Sequence, residues 1–412
     1  MRGRQIAVGL DVGTTKVCTV VAELVEGSRP EEPALSILGV GQRACQGLER
    51  GVVVNLEATI QAITDSVKAA EQMAGVPIRS VLVGIAGEHV HSLNSTGVIG
   101  VSRKENEITR EDVQRVLEAA RAVAVPGDRE VLHVLPRAYR VDEQGGIKEP
   151  IGMSGVRLEA EVHIVTVQTT AVRNLLRGVT RAGLQVSAVV LEPLAAAEAV
   201  LGDDERALGV LLLDIGGGTT DVAVFVDGTI GHTAVIGYGG QAVTNDLAVG
   251  LRTPLEQAER LKVRFGSAIA SKVPADAVVD VPGVGGREPR RVTQQVLASI
   301  CEPRLEEILG LVLEDVDRAI DPSVLAAGVV ITGGTAQMPG LCELAERVLG
   351  VPARVGFPDG LSGITDLASD PRLATAVGLV RHAAEENRTT RVRSGLFGRF
   401  RRPFREIIQE YF

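Results

Sequence analysis

The sequence predicts an α/β protein built from two related halves. Residues 9–17 place an apolar strand, an aspartate and a Gly/Thr turn before a second β-branched strand, and residues 213–222 repeat that order. A third Gly-rich turn, at residues 332–335, also follows a short apolar strand. One such phrase is compatible with an ordinary β-turn in which aspartate is a turn former. Two copies a domain length apart favour two loops that grip one polyphosphate between the halves.

The first half is predicted from apolar strands and one well-capped helix. Asn55 caps a helix from residue 56 to about residue 74, and Gly75-Val76-Pro77 ends it. The other predicted elements are two strands within residues 6–25, short strands within 35–54, a buried strand at 80–86, a helix at 171–182, a strand at 186–191 and a helix at 194–201. Pro193 precedes that last helix, where a first-turn proline is well tolerated.

Residues 88–167 differ from the sequence around them in their pattern of predicted strands and helices. Thr109 begins a capping-box pattern at the start of one amphipathic stretch. The predicted elements are strands near 90–101, 130–141 and 157–167 and a helix at about 109–123. This pattern predicts a compact α+β subdomain inserted into the first half.

The second half repeats the alternation of apolar strands and helices. Pro303 allows the helical stretch at residues 291–319 to divide into two helices, because proline removes a helix hydrogen bond. The other predicted elements are a hairpin at 209–225, a helix at 253–265, a short hairpin or loops at 272–292, a strand at 329–332 and helices at 341–349 and 375–386. Residues 387–395 are polar and cationic, which predicts a flexible linker.

The composition excludes several classes of protein. The chain has 412 residues, no Trp, 2% aromatic residues and a net charge of −9. This length allows two domains or four smaller subdomains. Few aromatic rings and an acidic balance argue against nucleic-acid binding, which uses stacking side chains and basic surfaces. The spacing of the four cysteines and six histidines predicts neither a zinc site nor a disulfide framework.

The two repeated loops carry the residue types that a magnesium–phosphate complex needs. Glycines let backbone N–H groups surround an anion, and threonine hydroxyls add donors. Lys16 is the only cation in either phrase and can contact outer phosphates as a point charge. The candidate phosphate residues are Asp11, Gly13, Thr14, Thr15 and Lys16 in the first loop and Asp214, Gly216, Gly217, Gly218, Thr219 and Thr220 in the second. Asp11 and Asp214 suit Mg²⁺ held through water, since this ion prefers oxygen ligands and keeps several waters.

A second group of residues is suited to an adenosine. Glu259 and Lys262 lie three residues apart on one predicted helix face, where they could hold a ribose and a base. An ordinary surface ion pair explains them equally simply. Gly333, Gly334 and Thr335 would let backbone approach a flat ring closely.

The order of these motifs resembles the actin-like ATPase superfamily. Within it, the chain is most similar to the FtsA family of bacterial cell division proteins. The resemblance covers nearly the whole chain, and its specific parts are residues 131–136 (VLHVLP), 150–158 (PIGMSGVRL), 281–290 (VPGVGGREPR) and the C-terminus. The inserted α+β subdomain is typical of this family and replaces a different actin subdomain.

The resemblance implies an actin-like fold with two halves around a nucleotide cleft. Its implied divisions are subdomain 1A at residues 1–87, 168–200 and 346–386, subdomain 1C at 88–167, subdomain 2A at 201–238 and 304–345, subdomain 2B at 239–303, a flexible linker at 387–395 and an amphipathic helix at 396–412.

The resemblance also implies ATP and Mg²⁺ as ligands of the two loops, with Asp214 nearest the metal. Glu259, Lys262, Gly333, Gly334 and Thr335 would surround the adenosine. Glu192 matches the position where hydrolytic relatives orient a water, although a first-turn carboxylate favoured by the helix dipole is the alternative. Hydrolysis is expected to be slow at most, so that ATP acts as a switch for assembly.

The expected function is that of a peripheral protein on the cytoplasmic face of the membrane at the division septum. The resemblance implies a protein that polymerises there, anchors FtsZ filaments of the Z ring and helps to recruit later division proteins. The FtsZ tail is expected on the smaller subdomain of the second half, at about residues 239–300 plus the helix start at 302–307, with Arg304 and Glu307 as candidate contacts. These two residues are equally explained as solvated helix charges.

The C-terminal segment is predicted to be an interfacial membrane helix. Steps of three and four residues place its apolar side chains on one face, while arginines can contact anionic lipid. The candidate membrane-binding residues are Phe397, Phe400, Arg401, Arg402, Phe404, Arg405, Ile407, Ile408, Tyr411 and Phe412. Pro403 leaves the helix start open to either side of it. Docking of this segment on its own protein or on a partner is the alternative.

Three other functions are weighed against the same sequence. A cytoplasmic adaptor of pilus assembly would share the insertion but would not need the amphipathic segment. A sugar kinase of the same superfamily would need a sugar-binding insertion, which the sequence does not show. A chaperone would need a large peptide-binding domain after the ATPase.

Overall fold

The computed structural model of the chain describes residues 5–25, 34–102 and 106–394. The first half forms around a six-stranded sheet with the order β11-β6-β1-β2-β3-β19. Its elements are β1 Ile6–Val12, β2 Lys16–Val25, β3 Ala34–Ala44, β4 Leu48–Glu49, β5 Val52–Val53, α1 Leu56–Ala74, β6 Ser80–Ile85, α3 Thr169–Arg181, β11 Gln185–Leu191, α4 Glu192–Val200, β19 Leu361–Gly363, α10 Thr365–Ala368 and α11 Ala374–Ser394. Because β1 and β6 are buried on both faces, they read as continuous apolar runs.

The insertion is a separate layered unit, as the sequence predicts. It contains β7 Val90–Gly100, α2 Arg110–Arg121, β8 Arg129–Val141, β9 Gln144–Ile147 and β10 Arg157–Gln168. Its antiparallel sheet has the order β7-β10-β8-β9, and α2 packs on it over a core of its own. The insertion also contacts the second half, since Ser92 donates a hydrogen bond of 2.7 Å to the carbonyl of Thr233.

The second half has a five-stranded sheet with the order β14-β13-β12-β17-β18. Its elements are α5 Asp203–Leu208, β12 Val210–Ile215, β13 Thr220–Val226, β14 Thr229–Ile236, α6 Gly240–Gly250, α7 Leu255–Phe265, β15 Val278–Val281, β16 Arg290–Thr293, α8 Gln294–Ala319, β17 Val329–Thr332, α9 Leu341–Leu349 and β18 Ala353–Val355. In each half an antiparallel hairpin, β1-β2 or β12-β13, supplies a Gly/Thr turn at the carboxyl end of a buried strand.

Helices α4 and α11 lie between the two sheets and join the halves in one core. This core contains Val20 of β2, Ala196 of α4, Leu212 of β12 and Val377 of α11. The helices pack closely because their contact residues are small. A Cβ on Gly378 would lie only 1.7 Å from the carbonyl oxygen of Ala195.

Helix α8 corrects one prediction. It runs unbroken from Gln294 to Ala319 with Pro303 inside it, whereas the sequence allowed two helices. Buried side chains before and after the proline, among them Cys301 and Leu305, occupy one continuous core face. Their burial holds both segments on one axis and outweighs the lost hydrogen bond.

Helix α11 corrects a second prediction. It continues to Ser394, so residues 387–394 are helical rather than a flexible linker. The polar composition predicted a linker, but this stretch contains neither Gly nor Pro before Gly395, and its three arginines are good helix formers. The predicted amphipathic segment at 396–412 and all its candidate membrane-binding residues lie outside the described residues. Within the described ranges, none of the helices combines the length and the hydropathy needed to cross a bilayer.

Candidate functional site

The two Gly/Thr turns share one backbone conformation. In the first, the N–H of Gly13 donates to the carbonyl of Lys16 at 2.9 Å, and in the second the N–H of Gly216 donates to the carbonyl of Thr219 at 2.9 Å. The repeated sequence therefore folds into a repeated turn. Residues 13–16 of the first turn and 216–219 of the second line the cleft between the halves.

The two turns meet directly across the cleft. A Cβ on Gly217 would lie 2.4 Å from Oγ1 of Thr15, and a Cβ on Gly218 would lie 2.5 Å from Oγ1 of Thr14. Only glycine permits this approach, because any larger residue would push the loops apart.

Four carboxyl groups line this cleft among the described residues: Asp11, Glu192, Asp214 and Asp221. None of them is more than 9% exposed. Burial raises the pKa of Asp214 to about 6, and it raises the pKa of Asp11 against the opposing effect of Lys16. Burial, and then the neighbouring carboxyl groups, raise the pKa of Glu192 and of Asp221 well above the ordinary range. The cleft is therefore a buried acidic centre that a cation would stabilise.

Lys16 lies against the first of these carboxyl groups. Its Nζ is 3.6 Å from Oδ2 of Asp11 and donates to Sγ of Cys18 and to the carbonyl of Arg372. Burial lowers the pKa of Lys16, but the neighbouring acidic groups of Cys18, Asp11 and Asp214 raise it above its ordinary value. Lys16 therefore remains a cation at the cleft.

The structure adds three cleft residues that the sequence predictions missed: Asp221, Arg372 and Thr375. Asp221 follows the second repeated turn directly, so its place in the repeat was the available signal. Its Oδ1 is buried without a hydrogen-bond partner in the described part of the chain. Arg372 and Thr375 come from the segment that begins α11, and no local motif marks them.

Among the candidate phosphate residues, Thr220 alone does not line the cleft. It is fully buried in β13, and its hydroxyl donates to the carbonyl of Tyr238 at 2.8 Å. The other loop candidates, from Asp11 to Lys16 and from Asp214 to Thr219, line the cleft. The alternation of side chains along a strand turns Thr220 away from the turn that precedes it.

The adenosine candidates lie behind and beside the second turn. Lys262 Nζ is 2.8 Å from Oε2 of Glu259 and donates to the carbonyl of Gly240 at 2.9 Å. Gly240 in turn donates its N–H to the carbonyl of Gly216, and Thr335 donates its hydroxyl to that same carbonyl at 3.2 Å. These hydrogen bonds connect Lys262 and Thr335 to the second Gly/Thr turn, while Gly333 and Gly334 line the cleft itself.

The candidate partner residues form an ordered ion-pair cluster on α8. Arg304 binds Asp246 through two nitrogens, with Nε at 2.6 Å from Oδ2 and Nη2 at 3.1 Å from Oδ1, and it also pairs with Glu307. The Arg304 guanidinium lies 6.0 Å from the centre of the Tyr238 ring. This arrangement fixes the guanidinium at the surface of the second half.

The donor set fits a metal held mainly through water and phosphate. Among the described residues, no three His, Cys, Asp or Glu side chains converge closely enough to hold a metal by themselves. Asp11 and Asp214 nevertheless face the cleft, and Asp221 offers an unpartnered buried oxygen. Such oxygens suit a hydrated divalent cation whose other ligands come from a bound polyphosphate.

Comparison with known proteins identifies relatives along most of the chain. Residues 211–378 match the family model "Cell division protein FtsA", and residues 87–166 match "SHS2 domain inserted in FTSA". The chain is 45% identical to the cell division protein FtsA of Pseudomonas aeruginosa, over 93% of this chain and 90% of that protein. It is 41% identical to the Escherichia coli K12 protein of that name, over 93% and 91% of the two chains.

Solved structures with low sequence identity share the fold. The type IV pilus complex of PilM and PilN aligns with a TM-score of 0.65 at 18% identity, over 93% of this chain and 99% of that chain. MreB5 of Spiroplasma citri, solved with ADP, aligns with a TM-score of 0.55 at 14% identity, over 94% and 98%. The likeness to PilM and MreB5 concerns the fold alone. The extensive identity to cell division proteins, together with the matched insertion, shows that this chain belongs to the FtsA family and has the actin-like ATPase fold.

Proposed function

We propose that this chain binds ATP with Mg²⁺ between its two Gly/Thr turns and uses it as a switch for assembly on the membrane. The observation that carries the proposal is the direct meeting of two matching turns over four buried carboxyl groups. Such a site combines anion donors with an acidic centre that needs a cation. Few other ligands than a metal-bound polyphosphate satisfy both.

The roles of the side chains follow from their places in the cleft. The N–H groups and hydroxyls of the two turns bind the phosphates, and Lys16 contacts the outer ones. Asp11 and Asp214 hold waters of the metal, which when bound supplies charge neutralisation to the phosphates. Glu259, Lys262 and Thr335 support the adenosine side behind loop two.

Glu192 has a limited role in this proposal. Its buried carboxyl begins α4 and lines the cleft, where it can orient a water by hydrogen bonding. Burial and the neighbouring carboxyl groups raise its pKa well above the ordinary range, which favours the protonated form, and a protonated carboxyl group cannot accept a proton from water. Slow hydrolysis is the expected consequence, and the nucleotide then serves mainly as a conformational signal.

Nucleotide binding is tested with the full chain and a fluorescent ATP analogue, titrated in Mg²⁺ and in EDTA. Asp214→Ala should weaken binding in Mg²⁺ by at least about tenfold, because a charged oxygen ligand of the metal shell is lost. Asp280→Ala, at an exposed aspartate of β15, is the matched control and should bind as the unchanged protein does. Equal affinity of Asp214→Ala and the unchanged protein would contradict the proposal.

The second part of the proposal is that the protein tethers FtsZ filaments to the membrane at the division septum. It rests on membership of the FtsA family and on the ordered Arg304–Asp246 cluster, which presents a fixed guanidinium on the second half. Here subdomain 2B at residues 239–303 and the adjoining part of α8, which carries Arg304, form the partner-binding surface, and recruitment of later division proteins follows from assembly. Arg304→Glu should weaken binding of an FtsZ C-terminal peptide severalfold, while Arg318→Glu, farther along α8, should not.

The membrane part of the proposal concerns the segment that follows α11. Its arginines and apolar residues support binding to anionic lipid at the cytoplasmic face. The full chain should co-sediment with phosphatidylglycerol vesicles, whereas a chain ending at Ser394 should remain in the supernatant. Equal sedimentation of both chains would refute the anchor, and electron microscopy on lipid monolayers with ATP, with and without FtsZ, would test filament formation.

A further inference from the structure

The structure assigns Thr375 a role that the sequence did not indicate: we propose that it is a positioning residue, which holds the Asp214 carboxylate in the orientation that magnesium-bound nucleotide requires. This inference rests on the proposed binding of ATP with Mg²⁺. It concerns which residue prepares the second loop for its ligand.

Both carboxylate oxygens of Asp214 have a close neighbour, Thr375 on one side and Gly333 on the other, and we call these three residues the Asp214 clamp. Thr375 Oγ1 donates to Oδ2 at 2.9 Å, from a residue 161 positions away in the sequence. On the other side, a Cβ on Gly333 would lie 2.3 Å from Oδ1. One oxygen is thus held by a hydroxyl and the other lies against backbone.

The two side chains of the Asp214 clamp, Thr375 and Asp214, are buried. Thr375 is 4% exposed and lies in the first turn of α11, the helix that packs between the two sheets. Asp214 ends the central strand β12, and Gly333 follows the neighbouring parallel strand β17. Gly333 has a φ of +85°, a conformation that L residues rarely adopt, so this wall of the clamp is specific to glycine.

The donor direction is unambiguous because an ionised carboxylate can only accept. The hydroxyl of Thr375 must therefore give its proton to this bond, and a hydrogen bond to a charged group is stronger than a neutral one. Without it, Oδ2 of Asp214 would lose the hydrogen bond that fixes its position, and the carboxylate would meet the metal shell in more orientations. A fixed carboxylate loses less entropy when the ligand arrives.

The test compares Thr375→Val, which keeps the shape and removes the donor, with Thr375→Ser, which keeps the donor. The dissociation constant of the fluorescent ATP analogue is measured for each full-length variant in Mg²⁺ and in EDTA. We expect Thr375→Val to lose about tenfold of the affinity that Mg²⁺ adds, with the affinity in EDTA unchanged within about twofold. Thr375→Ser should retain the affinity gain from Mg²⁺.

A double variant shows whether Thr375 acts through Asp214. In the Asp214→Asn background, Thr375→Val should cause no further loss of the gain from Mg²⁺, because the orientation of that carboxylate no longer matters. Thr375→Ala replaces Thr375→Val in both comparisons if the valine variant does not fold.

Three results would overturn the inference. They are a full gain from Mg²⁺ in Thr375→Val, an equal loss of affinity in Mg²⁺ and in EDTA, and an undiminished effect of Thr375→Val beside Asp214→Asn. Failure of the proposed function itself gives a different pattern, since the unchanged protein would then show no gain from Mg²⁺ at all.

Discussion

The two Gly/Thr hairpins have the same backbone and different charge environments. In the β1-β2 hairpin, Asp11 lies beside Lys16, a cation supplied by the same turn. In the β12-β13 hairpin, Asp214 accepts a hydrogen bond from the neutral hydroxyl of Thr375, the charge of Lys16 acts on it from the other hairpin, and Asp221 adds another carboxyl group. The first hairpin therefore supplies a cation of its own to the cleft, whereas the second supplies two carboxyl groups and no cation.

This difference shows that two copies of one motif can share a backbone turn and differ in charge. The repeat reproduces the turn and its N–H donors, because these depend on local sequence. The charge balance depends on two positions: Lys16 of the first phrase corresponds to Thr219 of the second, and Cys18 corresponds to Asp221. The lysine behind loop two, Lys262, comes instead from α7 and bonds the carbonyl of Gly240.

The largest expected effect comes from removing the cation of the first hairpin. Lys16→Met would leave the Asp11 carboxyl buried without its partner, which should lower the free energy of unfolding of the nucleotide-free protein by about 3 kcal/mol. Urea unfolding followed by circular dichroism measures this. The double variant Asp11→Asn/Lys16→Met should recover most of the loss, and a double variant as unstable as the single one would show that the ion pair is not the cause.

An intermediate effect on the free energy of unfolding is expected from Asp214, whose own hairpin contains no cation. Its pKa is raised from 3.8 to about 6, so the folded protein keeps this proton to a higher pH than the unfolded chain does. Unfolding therefore releases a proton, and rising pH favours unfolding. Asp214 alone should lower the free energy of unfolding by about 2 kcal/mol between pH 4 and pH 6.

The measurement is the pH dependence of urea unfolding for the nucleotide-free protein and for Asp214→Asn. The variant should lack this part of the decline, while Asp280→Asn, at the exposed position, should keep it. A slope in Asp214→Asn as steep as that of the unchanged protein would assign the decline to Asp221 or Glu192 instead.

The smallest effect is expected at the lysine behind the second hairpin. Lys262→Met removes hydrogen bonds to Gly240 and Thr244, but its partner Glu259 keeps 49% of its side chain exposed and stays hydrated. The loss in free energy of unfolding should be about 1 kcal/mol, clearly below that of Lys16→Met.

Arg260→Met on the same helix is the control, because its pair with Glu256 is exposed on both sides and should contribute little. If Lys262→Met lowered the free energy of unfolding as much as Lys16→Met does, the distinction between a hairpin that contains its own cation and one that does not would be lost.

Local signals predicted most of the architecture. Asn55 and Gly75 mark α1 at both ends, and the structure places its caps there, because capping groups satisfy backbone atoms within one turn. The insertion and the two hairpins were also predicted correctly. Local signals failed at Pro303 and at residues 387–394, where composition indicated a break and a linker but the chain continues as helix.

The two turns, the alternation of strands and helices, and the family to which the chain belongs can be predicted from the order of neighbouring residues. The set of side chains that completes the cleft depends instead on long-range packing. Thr375 and Arg372 reach it because α11 packs between the sheets, and Thr220 leaves it because its strand turns it toward Tyr238. Long-range packing brings such residues together, and no local pattern records which distant residues will meet.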